Sequence, residues 1–474
     1  MRQLSGLDAM FLALEQQGLP LHVASTIFLD PSTAAEGFGY DTVMETYRNR
    51  LHLLPPFRWR LVPTPLGLDH PYWIDDPDFD LEYHVRHIAV PPPGDARTLA
   101  AIVARIHARP LDRSRPLWET YVISGLADDT IAIFAKNHHA TIDGVSGADI
   151  LGVLLDVEPT APVPGQREPM TAESTPGEAE MLLRAARGLV KQPVRMGRMA
   201  VRAAGALPLL GRMAERAAPP QLRGRLGEGL MAKPQLQAPP SPFNGVVSPH
   251  RRFAYGSIPL KAAKRVKDAA GCKLNDVVMA LTGGALRRYL LRRDQLGDEP
   301  LQAMVPISVR TKEQKGAGGN QVNALIAMLP THLAAAEERL AAATAAMDVA
   351  KSGNAVPATV LRDFTQFATP ALAATASRTV ARLRMADRVR TPFNVVVSNI
   401  PGSPIPLYLG GARMEGIYPV SAIYDNIGLN VTVFSYRDEL QFGLVADREM
   451  VPDIWDMMQD FHDEMDELLA LVEP

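Results

Sequence analysis

Two adjacent histidines are the residues of this sequence whose type and position are best suited to chemistry. His138 and His139 follow an apolar run at residues 131–135, which predicts a buried strand, and precede residues 145–155, which predict a helix. An imidazole has an unperturbed pKa of about 6.5, so near neutral pH it can take a proton from a hydroxyl or a thiol. A strand, a loop and a helix commonly hold such a group rigidly. We therefore predict a general base at this junction.

The residues Asp143 and Gly144, which come next, indicate a tight turn. Glycine allows a backbone turn that a Cβ would obstruct, so Asp143 is expected to fold back toward the histidine loop. From that position its carboxylate can orient His139, as in a catalytic triad. Gly144 is also interpretable as an ordinary glycine at the start of a helix.

His138 is predicted to be a buried, hydrogen-bonded histidine rather than a second base, because neighbouring side chains of an extended strand point to opposite sides. The same geometry argues against a metal site, since adjacent histidines do not easily converge on one ion. His-x-x-x-His spacing is absent, and no Cys or Glu cluster lies nearby in the sequence. No metal ion and no cofactor are therefore predicted.

Composition limits the class of protein. The chain has 474 residues, which corresponds to roughly two to four domains. Apolar residues make up 47% and charged residues 21%, as in globular proteins, and the net charge of −3 gives no indication of nucleic-acid binding. A single cysteine, Cys272, excludes a disulfide within the chain and is typical of a reducing cytoplasm. Neither a signal peptide nor a transmembrane helix is predicted.

Strand and helix patterns follow each other in mixed order, which predicts a layered α/β or α+β architecture. Strands are predicted at residues 21–29, 253–259, 304–309, 394–399, 427–436 and 438–445. Helices are predicted at residues 97–107, 261–270, 274–292, 337–351, 358–385 and 453–471. Breaks in composition place an N-terminal domain at residues 1–180, a crossover linker at residues 181–247 and a C-terminal domain at residues 248–474.

The linker is strongly basic. Residues 181–240 contain eleven Arg and Lys against two Glu, a local charge of +9, with Leu, Val and Met interspersed. Basic and apolar residues at helical spacing suit a helix that lies on an anionic membrane surface. A solvated linker whose charges keep it in solution is the alternative.

The motif HHxxxDG at residues 138–144 resembles the active-site signature of the CoA-dependent acyltransferase superfamily. Further motifs occur in the same order at residues 4–11 (LSGLDAMF), 115–119 (RPLWE), 274–280 (LNDVVMA) and 397–402 (VSNIPG). Together they resemble the bacterial bifunctional wax ester synthase/acyl-CoA:diacylglycerol acyltransferases, from residue 4 to about residue 455. The resemblance implies two domains of the chloramphenicol-acetyltransferase type, with mixed sheets flanked by helices and an active-site channel between them.

The reaction implied by the resemblance is transfer of a long-chain fatty acyl group from acyl-CoA to diacylglycerol, to a long-chain alcohol, or to both. His139 would then be the base that activates the acceptor hydroxyl. The superfamily gives Asp143 a structural role, in which it pairs with an arginine, and Arg310 is the candidate partner. No covalent acyl-enzyme is expected, because Cys272 stands alone and no serine lies in a Gly-x-Ser-x-Gly elbow.

Other residues of the shared motifs have two interpretations each. Asn275 and Asp276 are either caps of a helix or substrate-binding groups whose helix start points into the channel. Asn399 either stabilises an oxyanion or shapes the turn before Pro401. Trp118 is expected to be a large apolar support. The superfamily's Asp-Phe-Gly-Trp-Gly segment is missing, which favours the wax ester and diacylglycerol branch.

Two rival functions remain open from the sequence. One is a related acyltransferase that uses another acceptor or a carrier-bound donor. The other is a non-catalytic lipid-binding protein at a membrane surface. The expected location is the cytoplasm, with peripheral attachment to the inner face of the membrane or to lipid droplets. The sequence leaves the preferred acceptor, the acyl chain length and the oligomeric state undetermined.

Overall fold

The fold alternates strands and helices in mixed order. The computed structural model describes residues 1–15, 19–141, 147–160, 173–187, 237–308, 322–353, 375, 379 and 391–472. The elements of the first half are β1 (Arg2–Gln3), α1 (Gly6–Leu14), β2 (His22–Asp30), α2 (Tyr40–Arg50), β3 (Trp59–Val62), β4 (Tyr72–Asp75), α3 (Leu81–His84), β5 (Val85–Ala89), α4 (Ala96–His107), β6 (Trp118–Ser124), β7 (Ile131–His138) and α5 (Gly147–Leu154).

The described residues of the second half form eight strands. These are β8 (Arg251–Pro259), β9 (Leu301–Ser308), β10 (Val322–Leu329), β11 (Val395–Pro401), β12 (Tyr408–Leu409), β13 (Ala412–Val420), β14 (Leu429–Tyr436) and β15 (Glu439–Asp447). Its helices are Leu260–Ala270, Leu274–Arg292, Ala336–Gly353 and Ile454–Ala470. Among the described residues, the strands form two six-stranded sheets and one small three-stranded sheet, β1-β4-β3.

The first large sheet has the strand order β12-β13-β2-β7-β6-β5. Its central pair, β2 and β7, is antiparallel, with Ile27 opposite Ile133 and His22 opposite His138. Because side chains alternate along a strand, one face carries Ile27, Leu29 and Ile133, which pack with α2 and α5. The other face carries Ala24, Ala132 and Phe134, which pack with α4. The sheet is therefore covered on both faces.

The second large sheet has the order β10-β9-β11-β14-β15-β8. Parallel pairs join β9 to β11 and β11 to β14, and the remaining pairs are antiparallel. The helix Leu274–Arg292 packs on this sheet through a continuous run of buried residues, which explains why its apolar pattern does not follow a single face. The architecture is thus mixed α/β with two mixed sheets, and the predicted fold class is confirmed.

Two strands from the second half of the chain belong to the first sheet. β12 and β13 follow β11 in the chain, yet they belong to the first sheet, where Ile417 of β13 lies opposite Ile27 of β2. A stretch of the predicted C-terminal domain thereby completes the sheet that carries the histidines. Phe434 and Tyr436 at the end of β14 join the same apolar core, so both sheets contribute to the packing around that region.

A buried ion pair joins the helices of the second half. The guanidinium of Arg339 donates to both carboxylate oxygens of Glu464, at 2.9 and 2.6 Å, and the two side chains are 3% and 0% exposed. Gly284 makes room for this pair, because a Cβ at that position would overlap the Glu464 carboxyl group. A bidentate pair of this kind fixes the register of three helices relative to each other.

Most predicted elements are present with ends shifted by a few residues. The predicted helices at residues 97–107 and 274–292 correspond to Ala96–His107 and Leu274–Arg292, and the predicted strand at residues 304–309 corresponds to Leu301–Ser308. Of the helix predicted at residues 358–385, only residues 375 and 379 are described, and both are helical. Most of the basic segment lies outside the described residues. Residues 178–187, at the start of that segment, are helical.

Candidate active site at the histidine turn

The backbone of the histidine pair is held from both sides. β7 ends at His138, and His139–Thr141 form a single 3-10 turn. The N–H of His138 donates to the carbonyl of Leu117 at 2.9 Å, and the N–H of His139 donates to the carbonyl of Leu21 at 2.9 Å. The turn is therefore fixed by the starts of β6 and β2, on either side of β7.

His138 is directed away from the cavity described below. Its side chain is 1% exposed, and its ring lies 6.0 Å from that of His22 in an edge-on arrangement. Its Nδ1 accepts the N–H of Ala140 at 3.0 Å, and its Nε2 lies 3.4 Å from a carboxylate oxygen of Glu15. Thr141 Oγ1 donates to the carbonyl of His138 at 2.7 Å. The contacts of this histidine therefore stabilise the turn.

His139 lies on the opposite side and lines a cavity together with Asn137. The alternation along β7 places Ile133, Ala135 and Asn137 on the same face, and His139 continues this series past the end of the strand. Its ring stacks on that of Phe11, with 4.2 Å between ring centroids and 26° between planes. An imidazole in this position can exchange a proton with a group bound in the cavity.

The cavity has a volume of about 380 Å³ and is mostly apolar. It lies between the first sheet and the helices α2 and α5. The sheet contributes Val23, Ala24, Ser25, Ile27, Thr120, Ile133, Ala135, Asn137, Leu409, Ile417 and Pro419 to its lining. The other lining residues are Tyr47, Phe57, His139, Gly147, Ile150, Leu151, Leu154, Leu155, Ile400, Ser421 and Phe434. A concave apolar site with a few polar groups is typical of small-molecule binding.

Trp118 supports one wall of this cavity. Its ring stacks on Phe57 at 4.5 Å and on Tyr47 at 5.4 Å, and its Nε1 donates to the carbonyl of Phe57 at 2.7 Å. Tyr47 is hydrogen-bonded to Thr120 at 2.9 Å, and burial raises the pKa of Tyr47 to about 12. The hydroxyl therefore stays protonated, and the wall carries no charge near neutral pH. Trp118 therefore packs against two of the residues that line the cavity, Tyr47 and Phe57.

Behind the turn, on the α4 side of the sheet, lies a group of buried titratable side chains. Lys136 Nζ lies 3.2 Å from Glu119. Burial lowers the pKa of His107 to about 3, and burial also lowers that of His22 well below its ordinary value. Both imidazoles are consequently neutral at pH 7. They can accept or donate hydrogen bonds there without adding charge to the core.

Asn275 and Asn399, which lie far apart in the sequence, come together near the cavity. Asn399 Nδ2 lies 3.4 Å from Asn275 Oδ1, and Ile400, next to Asn399, lines the same cavity as His139. Asp276 is 1% exposed and accepts the backbone N–H of Lys273 at 2.9 Å, so its carboxylate closes the start of the helix Leu274–Arg292. Neither asparagine is itself among the residues that line the cavity, whereas Ser421 is a polar lining residue from the second half.

Three predicted site residues, Asp143, Gly144 and Arg310, lie outside the described residues. The expected pairing of Asp143 with Arg310 therefore stays a prediction. In the part of the chain that the structure describes, no three His, Cys, Asp or Glu side chains converge in a way that would hold a metal ion. Within the same ranges, no helix combines the length and apolar character needed to cross a membrane.

Sequence reasoning missed Phe11 and Glu15, which contact the two histidines from α1 and the residue after it. The signal was available in part, because Phe11 lies in the LSGLDAMF motif and Glu15 follows it at the i,i+4 spacing that puts two side chains on one helix face. It also missed Tyr47, whose place in the cavity wall depends on how α2 packs on the sheet.

The chain matches two family models in succession. The wax ester synthase/diacylglycerol acyltransferase catalytic domain matches residues 4–278, and the WS/DGAT C-terminal domain matches residues 318–469. A Mycobacterium tuberculosis protein named "Putative diacyglycerol O-acyltransferase" is 38% identical over 474 residues, which is 99% of this chain and 90% of the relative. A second protein of that name and organism is 39% identical, with 98% of this chain and 99% of the relative covered.

Solved structures show the same fold. The wax ester synthase/diacylglycerol acyltransferase from Marinobacter aquaeolei VT8 is 29% identical, with a TM-score of 0.67 and 99% of each chain covered. The first condensation domain of the CDA synthetase is 14% identical, with a TM-score of 0.56 and with 99% of this chain and 96% of that chain covered. The second likeness concerns the fold alone.

Proposed function

Because the chain belongs to the wax ester synthase/diacylglycerol acyltransferase family, we propose that it transfers a long-chain fatty acyl group from acyl-CoA to the hydroxyl of diacylglycerol or of a long-chain alcohol. The observation that supports this proposal most directly is the position of His139 in the lining of a mostly apolar cavity. A base beside an apolar cavity suits a substrate that joins a reactive carbonyl to a hydrocarbon chain.

The cavity is the proposed site of the acyl chain. Along β7, the lining residues Asn137, Ala135 and Ile133 lie at increasing distance from His139, and Ile133 lies opposite the lining residue Ile27 of β2. From His139 to Ala135 the strand advances about 13 Å, and the lining continues beyond that residue. The chain would enter beside His139 and extend along the sheet, with its thioester carbonyl at the histidine end.

In the proposed mechanism, His139 removes the proton of the acceptor hydroxyl while the oxygen of that hydroxyl attacks the carbonyl carbon of the thioester. The resulting tetrahedral intermediate carries the negative charge on the former carbonyl oxygen. The carbon–sulfur bond then breaks, and the imidazolium of His139 returns the proton to the departing thiolate of CoA. Each proton and electron pair is accounted for without an acyl-enzyme. A base positioned in this way contributes about 10²- to 10⁴-fold to the rate.

Asn275 and Asn399 are the proposed stabilisers of the oxyanion. Asn399 Nδ2 lies 3.4 Å from Asn275 Oδ1 on the helix-facing side of β11, one residue before the cavity-lining Ile400, and an amide N–H is a neutral donor suited to a developing negative charge. Asp143 and Arg310 would hold the loop after His139 without touching the substrate. Gly144 would permit the turn that follows.

The test of the proposed function is product analysis with labelled palmitoyl-CoA, with diacylglycerol and hexadecanol offered in parallel. We expect labelled triacylglycerol, labelled wax ester or both, and the ratio ranks the acceptors. A reaction without acceptor, followed for release of free CoA, measures hydrolysis and serves as the control. Absence of ester with both acceptors would contradict the proposal and favour a carrier-bound donor or a lipid-binding role.

The proposal extends to the membrane surface. The basic segment at residues 181–240, with a local charge of +9, would attach the protein to anionic lipid, from which it collects its acceptor. We expect vesicles that contain phosphatidylglycerol to bind the protein and to release it as salt rises from about 0.05 M to about 0.5 M. Vesicles of phosphatidylcholine alone are the control in a flotation assay. Binding that ignores salt would count against the electrostatic attachment.

A further inference from the structure

The helix α1 lies directly on the histidine turn. Its start is fixed by Ser5, whose Oγ accepts the N–H of Asp8 at 3.2 Å, and the N–H of Leu4 donates to the carbonyl of Pro71 at 3.0 Å. Glu15 continues the helical hydrogen-bond pattern, since its N–H donates to the carbonyl of Phe11 at 3.1 Å. Phe11 and Glu15 are therefore one helical turn apart and face the same way.

Phe11 contacts His139. The two rings are almost parallel, with centroids 4.2 Å apart and 26° between planes. A stacked phenyl ring covers one face of the imidazole and limits its rotation. Phe11 is not among the residues that line the cavity, so it acts on the histidine and not on the bound chain.

Glu15 contacts His138. Its carboxylate is 6% exposed, and its Oε2 lies 3.4 Å from His138 Nε2 and 2.6 Å from a guanidinium nitrogen of Arg113. Its Oε1 lies 3.5 Å from His22 Nε2. Burial acts to raise the pKa of Glu15, but His138 and Arg113 outweigh it and hold the pKa below its ordinary value. The carboxylate is therefore ionised at neutral pH.

The Ala140 amide and the Glu15 carboxylate favour the same tautomer of His138. The N–H of Ala140 donates to His138 Nδ1, so this nitrogen presents a lone pair and the neutral ring carries its proton on Nε2. That N–H faces the carboxylate of Glu15. Glu15 thus favours the tautomer in which His138 holds the amide of the residue next to His139.

A third contact joins the same helix to Ala140. Ala9 and Leu12 of α1 pack in one apolar cluster with Ala140 and Leu117. One helix therefore contacts three consecutive residues of the turn through three kinds of interaction: stacking on His139, charge at His138 and apolar packing on Ala140.

We propose that α1 is the positioning element of the catalytic turn, in which Phe11 sets the plane of the His139 imidazole and Glu15 holds His138 and, through it, the Ala140 amide. This inference rests on the proposed function, because it treats His139 as the base. Phe11 and Glu15 are positioning residues and do not touch the substrate. Their effect should appear in kcat, since a displacement of about 1 Å at a reacting group can cost roughly 100-fold.

The experiment compares Phe11→Leu with Phe11→Tyr, which keeps the ring, and with Leu14→Ala as a matched control. Leu14 belongs to the same helix and is 42% exposed, so its truncation removes apolar surface without contacting the turn. We expect Phe11→Leu to lower kcat by about 10- to 100-fold with the KM for palmitoyl-CoA unchanged. Phe11→Tyr should retain most of the turnover and Leu14→Ala all of it.

The same comparison applies to Glu15. We expect Glu15→Ala to lower kcat and Glu15→Gln to restore part of it, because the amide oxygen of Gln can still accept the Nε2–H of His138. Thermal melts of each variant separate this effect from unfolding. The positioning role would be overturned if kcat were as low in Glu15→Gln as in Glu15→Ala and as low in Phe11→Tyr as in Phe11→Leu.

A second readout does not depend on turnover. Diethyl pyrocarbonate acylates accessible imidazole nitrogens, and peptide mass mapping gives its rate at His139 separately from the other histidines. Phe11→Leu should speed this reaction at His139, whereas Phe11→Tyr and Leu14→Ala should not. An unchanged rate in Phe11→Leu would overturn the proposal. If the wild type forms no ester, the proposed function fails, and the modification rates alone then decide whether α1 positions His139.

Discussion

Replacing His139 by alanine is expected to lower the rate of ester formation by about 10²- to 10⁴-fold, because the acceptor hydroxyl loses the only base that the proposed mechanism assigns to it. The measurement is the initial rate of labelled ester formation from palmitoyl-CoA, under conditions in which the wild type is saturated with both substrates. Binding of acyl-CoA should persist, since the cavity lining beyond His139 is unchanged.

The matched control for this variant is His87→Ala. His87 is an exposed histidine on β5 and lies outside the cavity lining, so its loss repeats the chemical change away from the site. Both variants should unfold within about 4 °C of the wild type, the shift that corresponds to roughly 1 kcal/mol in domains of this size. Retained turnover in His139→Ala together with a normal melt would rule out the general-base role.

The second large effect is expected from Ala135→Phe, which narrows the cavity between His139 and its far end. Ala135 lies on the cavity face of β7, opposite Ser25, and about 13 Å of strand separates it from His139. A ring at this depth would obstruct a long acyl chain and leave room for a short one. We expect the kcat/KM for palmitoyl-CoA to fall by about 100-fold while that for octanoyl-CoA changes little.

The test uses the ratio of kcat/KM for palmitoyl-CoA to kcat/KM for octanoyl-CoA. This ratio does not depend on the fraction of folded protein, because misfolding lowers both rates together. Ile133→Ala, two residues further from His139, is the opposite change, since it enlarges the cavity at greater depth. It should preserve or raise the preference for long donors. Equal loss of palmitoyl and octanoyl transfer in a normally folded Ala135→Phe variant would show that the acyl chain does not occupy this cavity.

Local patterns determined much of what was predicted correctly. The helix at residues 274–292 was predicted with its observed bounds, because a long, mostly apolar segment that opens on Asn-Asp and ends in basic residues is recognised from neighbouring residues alone. The family and the fold class were also predicted from the sequence, and the matches to the catalytic and C-terminal domain models confirm the family. These features depend on residues close together in the chain or on motifs kept in order.

The pairing of a strand from the second half with a strand from the first half could not be predicted in the same way. β13 pairs with β2 over a separation of almost 400 residues, and the composition of neither strand indicates which strand it pairs with. Backbone hydrogen bonds are the same for every strand, so pairing is decided by which apolar faces can be covered together. The cavity depends on that decision, because β2, β7 and β13 all line it.

The sequence by itself determined that two histidines stand at the end of a strand and that the alternation of side chains turns them to opposite sides of the sheet. Only the tertiary structure decided the contacts of each histidine: His139 stacks on Phe11 and lines the apolar cavity, and His138 contacts Glu15. The physical reason is that alternation is a property of the local backbone. The neighbours of a side chain, in contrast, are chosen by the packing of α1, α2 and β13, which come from distant parts of the chain.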